Sequence, residues 1–305
     1  MTLKWTEQTK WIQKCRRTQL LISCLTLLII TLDYQDSFAQ KQKQSERFER
    51  GSKLIGEVYG DPEAGKKLIE GLSDIAPDMG RFIIEFPYGD IYSRPGLDMK
   101  SREIATVAAL TAMGNAAPQL KTHIRASLNV GLKKEEIMEC IIQMCLYAGF
   151  PASLNAIQTA REVFQEGIGE KFEPEMTKGD PTTRLERGSE LIGKVYGDPN
   201  AAQNMKNGLG DIAPDMARFI LEFPYGDIYN RPGLDMKSRE IATVAALTAM
   251  GTATPQLKTH IRASLNVGLT KTEITECIIQ MALYAGFPAS LNALQAAKEV
   301  FQEKK

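Results

Sequence analysis

The chain has 305 residues, of which 43% are hydrophobic, and its 37 Lys and Arg balance 37 Asp and Glu. This length and composition suit two globular domains with buried cores and exclude a disordered chain. The net charge is zero, so the chain has no overall basic charge that would attract nucleic acid. With two histidines in the sequence, a histidine-rich metal site is excluded as well.

Residues 1–39 form a leader, in which basic residues precede an apolar run from Leu20 to Leu32 and Ser37-Phe38-Ala39 follows it. This order predicts a secretory signal peptide, cleaved after Ala39. An uncleaved anchor is disfavoured by the shortness of the run. A lipid-attached Cys24 is disfavoured because that cysteine lies near the start of the run. We expect an exported protein, periplasmic or secreted, with no stable membrane insertion after cleavage.

Cleavage changes the charge and cysteine content of the chain. The leader holds five of the 37 basic and three of the 37 acidic residues, so the mature chain has a net charge of −2. A nucleic-acid partner is therefore not expected. Cys140, Cys145 and Cys277 remain, and an odd number in an exported protein argues against a complete disulfide framework.

The rest of the sequence is a tandem duplication. A shift of 137 residues aligns 50–166 with 187–303 without a gap, and 95 of the 117 positions are identical. The sequence predicts a first domain at 40–172, a linker at 173–186 and a second domain at 187–305. Two fused copies commonly reproduce a symmetric homodimer, so we expect an internal pseudo-dimer.

Each copy is predicted to be all-α, because apolar residues recur at helical spacing and no strand-length alternation occurs. In the first copy we expect helices over 46–59, from Asp61-Pro62 to Leu72, and from about Pro77. Two prolines and two glycines predict a loop over 86–96.

The later helices carry clearer boundary signals. Asp98 is a predicted cap for a buried helix that Gly114 ends, and Pro118 opens a helix that ends at Gly131. In the second copy, Thr270 and Glu273 predict a capping box for a helix that runs to Tyr284. Gly286-Phe287-Pro288 then leads into the last helix.

The two histidines, His123 and His260, are the first candidates for chemistry and occupy the same position of the repeat. Each lies beside the apolar stripe of its helix, where it is either a packed side chain or a functional group. Neighbours in sequence favour function. Glu103 opens the buried helix, while Arg94 and Arg125 supply cations that can bind an anion.

Three segments, Tyr88–Leu97, Leu120–Ala126 and Tyr147–Ser153, resemble γ-carboxymuconolactone decarboxylase in order and spacing. The resemblance covers nearly all of each copy. It implies the AhpD-like all-α fold, assembled into rings from dimers. Here we expect a ring of three chains.

Two departures from the family pattern bear on function. The decarboxylases usually have tryptophan where this chain has Tyr88 and Tyr92, so substrate shape can differ. The peroxidase branch carries Cys-x-x-Cys about a dozen residues after the matching glutamate, where this chain has 115–119 without cysteine. Cys140 and Cys145 do not replace that pair, since five helical residues turn their side chains about 140° apart.

The resemblance implies decarboxylation of a small carboxylated lactone or keto acid, with no metal and no organic cofactor. The protein would hold the carboxylate, stabilise an enolate and return a proton to carbon. We assign proton transfer to the histidines, partner orientation to glutamates and substrate binding to arginines and tyrosines. The catalytic residues are then His123, His260, Glu103 and Glu240. The substrate-binding residues are Arg94, Arg231, Arg125, Arg262, Tyr88, Tyr92, Tyr225 and Tyr229.

Alternatives remain at this stage. Arg125 can simply be a surface ion-pair member. An antioxidant oxidoreductase of the AhpD type shares the fold but lacks its cysteines here. A non-catalytic helical scaffold is the third possibility.

Overall fold

A computed structural model describes residues 46–167, 171–174, 176 and 179–303, so the predicted signal peptide lies outside the described residues. Every regular element in the described ranges is helical, and none of these residues forms a strand. The all-α prediction is confirmed. None of the described helices combines the length and the apolar character needed to cross a membrane.

The first copy contains eight α-helices and one π-helical segment within the described ranges. They are α1 (46–59), α2 (Ala64–Glu70), α3 (Pro77–Ile83), the first π-helix (Ile84–Tyr92), α4 (Met99–Met113), α5 (Ala117–Asn129), α6 (Lys134–Gln143), α7 (Cys145–Ala148) and α8 (Phe150–Phe164).

The second copy repeats this order after a short 3-10 turn at Pro181–Thr183. Its elements are α9 (Arg184–Tyr196), α10 (Ala201–Leu209), α11 (Pro214–Ile220), the second π-helix (Leu221–Tyr229), α12 (Met236–Met250), α13 (Thr254–Asn266), α14 (Lys271–Gln280), α15 (Ala282–Ala285) and α16 (Phe287–Gln302). α9 begins at Arg184, so the last three residues of the predicted linker, 184–186, are helical.

The boundary signals of the central helices act as expected. The Asp98 side chain accepts a hydrogen bond from the Ser101 backbone N–H, and Gly114 ends α4 in the left-handed region with φ 68°. Thr270 and Glu273 form the predicted capping box of α14. That helix ends at Gln280, and a separate turn, α15, carries Tyr284.

The predicted loop at 86–96 is wrong for most of its length, since the chain continues from α3 into a π-helix that ends at Tyr92. Proline in an α-helix collides with the carbonyl four residues earlier, and the wider π-helical turn accommodates Pro87. Contacts with α1 hold the segment. The Arg50 guanidinium donates to the Gly89 carbonyl at 2.7 Å, and a Cβ on Gly89 would lie 2.6 Å from the Arg47 carbonyl oxygen.

The two copies pack as the expected internal pseudo-dimer. α4 lies along α12 at the centre of the molecule, and buried side chains from both copies form one continuous core. Small residues permit this approach, since Ala105, Ala108 and Ala109 are fully buried, as are their counterparts. Each copy therefore contributes to the surroundings of the other.

Candidate active site

A buried histidine–glutamate pair lies at the centre of each copy. Glu103 on α4 and His123 on α5 meet with 2.9 Å between Oε2 and Nδ1, and Glu240 and His260 repeat this distance. Glu103 is fully buried, while 6% of His123 is exposed. A carboxylate can only accept, so Nδ1 carries a hydrogen whether the ring is neutral or charged, and Nε2 is the ring nitrogen that can gain or lose a proton.

The other side of each histidine faces a tyrosine of the opposite copy. The Tyr284 hydroxyl on α15 lies 3.3 Å from Nε2 of His123, and Tyr147 on α7 has the same relation to His260. The rings of Tyr284 and His123 meet edge to face at 5.4 Å. Each site is thus assembled from both copies, with the histidine–glutamate pair from one and a phenol from the other.

A chain of hydroxyl groups extends from this contact. The Tyr284 hydroxyl is 2.7 Å from that of Tyr92, which is 2.9 Å from Thr106 Oγ1. On the other side of the imidazole, the Tyr59 ring lies 6.1 Å from the His123 ring, and its hydroxyl is 2.6 Å from that of Tyr88. The histidine therefore has phenols on two sides.

These phenols are held in their neutral form. Burial raises the pKa of Tyr284 well above its usual value, and the nearby Glu103 charge raises it further. Burial raises the pKa of Tyr88 and Tyr92 in the same way. The tyrosines consequently serve as hydrogen-bond donors near neutral pH, and the imidazole is the side chain type suited to exchanging protons there.

The glutamate keeps one oxygen free. Oε1 of Glu103 and of Glu240 is buried without a hydrogen-bond partner in the structure, while Oε2 binds the imidazole. A half-satisfied buried carboxylate is costly unless its surroundings fix it. Here the rigid α4–α12 core holds it against the histidine.

Arg94 and its repeat Arg231 lie at the contact surface between the two copies, which we call the seam, and not beside the histidines. Arg94 binds Glu276 of α14, with 2.6 Å between Nη2 and Oε1, and Arg231 binds Glu139 at 2.8 Å. Although burial alone would raise the pKa of Glu276, hydrogen bonds from Arg94 and Arg102 hold it below its usual value. Glu276 belongs to the second copy, so its carboxylate reaches Arg94 only because the two copies pack together.

Arg125 and Arg262 lie at the protein surface. Two helical residues separate Arg125 from His123, which turns the side chains about 200° apart. Arg125 Nε donates to Glu166 at 2.6 Å, and Arg262 Nη2 bonds Glu303 at 2.6 Å. The structure therefore places these two arginines in surface ion pairs and does not bring them to the histidines.

Tyr88 and Tyr92, which are predicted substrate-binding residues, belong to the hydroxyl contacts around His123, and Tyr225 and Tyr229 match them in the second copy. All four are buried, with at most 5% exposed. Sequence reasoning missed Tyr147 and Tyr284 as site residues, although Tyr147 opens one of the three family segments. It also missed Arg102, which is fully buried at the seam and binds Gln280 and Glu276.

The cysteines are separate from this site. Cys140, Cys145 and Cys277 are free and buried, and burial raises the pKa of Cys140 and of Cys277 to about 12. A thiol in that state is a weak nucleophile near neutral pH. The part of the chain that the structure describes contains no group of three side chains that could hold a metal ion.

The fold and the histidine–glutamate site define a class of protein. The model of the carboxymuconolactone decarboxylase family matches residues 77–162 and again 214–299, and the chain belongs to this family. Each match contains one complete histidine–glutamate pair.

Two relatives each match a part of the chain about as long as one copy. A 4-carboxymuconolactone decarboxylase of Acinetobacter baylyi is 39% identical over 121 residues, which are 40% of this chain and 89% of that protein. A nitrosuccinic acid decarboxylase of Metarhizium robertsii is 28% identical over 113 residues, 36% of this chain and 78% of that protein. Both relatives carry decarboxylase names.

A solved structure from Burkholderia xenovorans LB400, assigned as a gamma-carboxymuconolactone decarboxylase subunit, aligns with a TM-score of 0.51 and 23% identity. The alignment covers 83% of this chain and 97% of that one, so it includes both copies. At this identity the likeness concerns the fold.

Proposed function

We propose that the protein is a cofactor-independent decarboxylase acting on a small carboxylated lactone or keto acid. The observation that carries the proposal is the environment of His123, whose Nδ1 is bound by Glu103 and whose Nε2 faces Tyr284 of the opposite copy. Such a ring is oriented by a carboxylate on one side and can exchange a proton on the other. His260 has the same environment.

The chemistry needs an electron acceptor within the substrate. The bond from carbon to the carboxylate breaks, its electron pair moves into the conjugated carbonyl to give an enolate, and carbon dioxide leaves. The imidazolium then delivers a proton to carbon, and the resulting neutral ring takes up a proton from water. Neutral phenols that donate hydrogen bonds to the enolate oxygen stabilise it as charge develops.

The names of the relatives support this substrate class. Carboxymuconolactone joins a carboxylate to a lactone, and nitrosuccinic acid joins carboxylates to a nitro group. Lactone and nitro groups both accept an electron pair released by decarboxylation. We propose the tyrosines for substrate contact, because the seam and surface arginines are already bound by glutamates.

The test is a substrate panel with two readouts. Purified protein is incubated with carboxylated lactones, 3-keto acids and 2-nitro acids in heavy water, and carbon dioxide release and deuterium in the product are measured. We expect release from at least one class, with one deuterium at the former carboxylate carbon. If no compound of the panel releases carbon dioxide, the proposal is contradicted. If carbon dioxide is released but the deuterated product is not enriched in one stereoisomer, delivery of the proton by the protein is contradicted.

For the assembly we propose a ring of three chains. Five large apolar side chains are exposed at equivalent positions of both copies. One of them, Phe287 of the second copy, lies with its ring 5.8 Å from that of Phe86 of the first, so the exposed set extends across both copies. The exposed pairs are Ile75 and Ile212, Met79 and Met216, Phe82 and Phe219, Phe150 and Phe287, and Leu154 and Leu291. Exposed patches of this kind mark association surfaces. Light scattering at micromolar concentration should give three times the chain mass, and a monomer contradicts the ring.

We also propose export of the mature chain. The support is the leader sequence, with its basic, apolar and small-residue order. Intact-mass analysis of the protein from the cell exterior or periplasm should give a chain that starts at Gln40. Retention of residues 1–39 in a membrane fraction contradicts this.

A further inference from the structure

The second copy contains a cavity that the proposed mechanism does not use, and one of its lining residues, Tyr196, packs near His260. Its volume is about 650 Å³, and it lies between α9, α10, α11 and α13. Tyr196 and Thr259 form the wall nearest the active site. Thr259 precedes His260 in sequence, and the rings of Tyr196 and His260 are 6.2 Å apart.

The rest of this cavity is largely apolar. Ile192, Met205, Leu209 and Ile220 contribute aliphatic surface, and so does the half-exposed Met216, which also belongs to the apolar set proposed for association. The charged group is Asp198, whose carboxylate accepts a hydrogen bond from the Asn204 amide at 2.9 Å. Apolar walls and an uncompensated carboxylate favour an uncharged, apolar occupant over an anionic one.

The equivalent helix of the first copy packs differently. A Cβ on Gly80 would lie 2.9 Å from the Ile69 Cα, so α2 approaches α3 more closely than an alanine allows. The second copy has Ala217 at the position of Gly80 and Lys206 at that of Ile69. α10 must therefore lie farther from α11, and it has no buried residue, whereas α2 buries Gly65.

Charge also differs between the two helices. In the first copy, Lys67 binds Asp61 at 2.7 Å, and this cation is replaced by Asn204 in the second. Helix α2 thus carries a lysine paired with Asp61, and α10 carries no cation at that position. The catalytic residues themselves do not differ between the copies.

We propose that the cavity at α10 is a subsite for an apolar, uncharged substituent of a carboxylate ligand, and that it makes the second site accept longer acids than the first. The carboxylate end of the ligand would lie at His260, and this part of the proposal rests on the decarboxylase function proposed above. The chain then holds two sites with the same chemistry and different substrate ranges. A volume of about 650 Å³ falls within the roughly 300–1,000 Å³ of small-molecule sites.

The test measures binding, so that it does not depend on turnover. Butanoate, hexanoate and octanoate are titrated calorimetrically into the full chain. Each added methylene should tighten binding at one site per chain by about fourfold, as burial of a CH₂ group predicts. Affinity that is independent of chain length overturns the proposal.

Matched variants locate the effect. Met205→Trp fills the cavity and should abolish the chain-length dependence, whereas Leu68→Trp, at the equivalent position of α2, should leave it intact. Equal loss in both variants overturns the assignment to the second copy. Neither position is fully buried, and thermal unfolding verifies that both variants fold.

A reciprocal pair of variants tests the packing itself. Ala202→Gly, Lys206→Ile and Ala217→Gly together give α10 the character of α2 and should remove the long-acid site. Gly65→Ala, Ile69→Lys and Gly80→Ala should create a second one. If octanoate binds as expected but no acid in the panel is decarboxylated, the subsite stands and the proposed function fails.

Discussion

The two copies have the same sequence in their central helices, α4 and α12, but differ strongly in sequence around α2 and α10. α4 and α12 have the same sequence over all 15 residues, whereas eight of the eleven positions from 63 to 73 differ from those of 200–210. The central pair is buried against the opposite copy, and α10 has no buried residue. Sequence difference between the copies is concentrated where a side chain can change without altering the seam.

Under the proposed function, this contrast separates the residues assigned to chemistry from those assigned to substrate selection. The tyrosine that contacts each histidine comes from the opposite copy, so a change in one copy disturbs the site of the other. α2 and α10 lie outside the seam, and α10 lines a cavity that also contains Tyr196, whose ring lies near that of His260. Variants at the seam should therefore have large effects, and variants on α10 small ones unless a ligand occupies the cavity.

The largest effect is expected at the seam. Glu276→Ala leaves the fully buried Arg102 without its carboxylate, and we expect a loss of about 3–5 kcal/mol in unfolding free energy, measured by denaturant titration. Arg125→Ala, which breaks the exposed pair with Glu166, should cost about 0–1 kcal/mol. Similar losses for the two variants would contradict the distinction between seam and surface.

The histidines come next. Replacing His123 and His260 together by glutamine keeps approximate size and hydrogen bonding but removes proton exchange, so turnover should fall by a factor on the order of 100 or more. Thermal unfolding should change little. A folded double variant that turns over a confirmed substrate at the original rate would show that both histidines are structural.

The buried thiols should be dispensable for turnover. Replacing Cys140, Cys145 and Cys277 by alanine leaves the site intact, with packing losses of roughly 1–3 kcal/mol in stability. Steady-state rates measure the first expectation and denaturant titration the second. Hydroperoxide reduction that disappears on this replacement would instead favour the antioxidant function.

The smallest effect is a pH dependence of the seam. Because Arg94 and Arg102 hold the pKa of Glu276 below its usual value, its contribution to stability is present above the unfolded pKa of about 4.3. It is lost as pH falls through the lower folded value. Melting temperatures recorded from pH 7 to pH 3 should fall less for Glu276→Gln than for the unaltered chain over the acid range, and parallel profiles would contradict this.

Local sequence was sufficient for the helices and for half of each site. Asp98, Gly114 and the Thr270–Glu273 box act within a few residues of themselves, so their roles can be predicted. The π-helix at Ile84–Tyr92 could not be, since contacts with α1 override the local preference of Pro87 and Gly89 for a turn.

The contacts that could not be predicted from the sequence lie between the two copies. Tyr284 reaches His123 across 161 positions of sequence, and Glu276 reaches Arg94 across 182. No local pattern encodes either contact, because both arise when the copies dock. Glu103 and His123 are 20 residues apart on two packed helices, which is why their pairing was within reach of sequence reasoning.

The central claim is that each active site combines a histidine of one copy with a tyrosine of the other. The most direct measurement compares Tyr284→Phe with Tyr147→Phe in a chain that already carries His260→Gln, so that His123 is the sole remaining catalytic histidine. Loss of the phenol that contacts Nε2 should lower turnover by about tenfold in the Tyr284→Phe chain, the cost of about one hydrogen bond. Tyr147→Phe alters the inactive site and should leave the rate unchanged. Equal rates in the two variants, or a larger loss with Tyr147→Phe, would contradict a site shared between the copies.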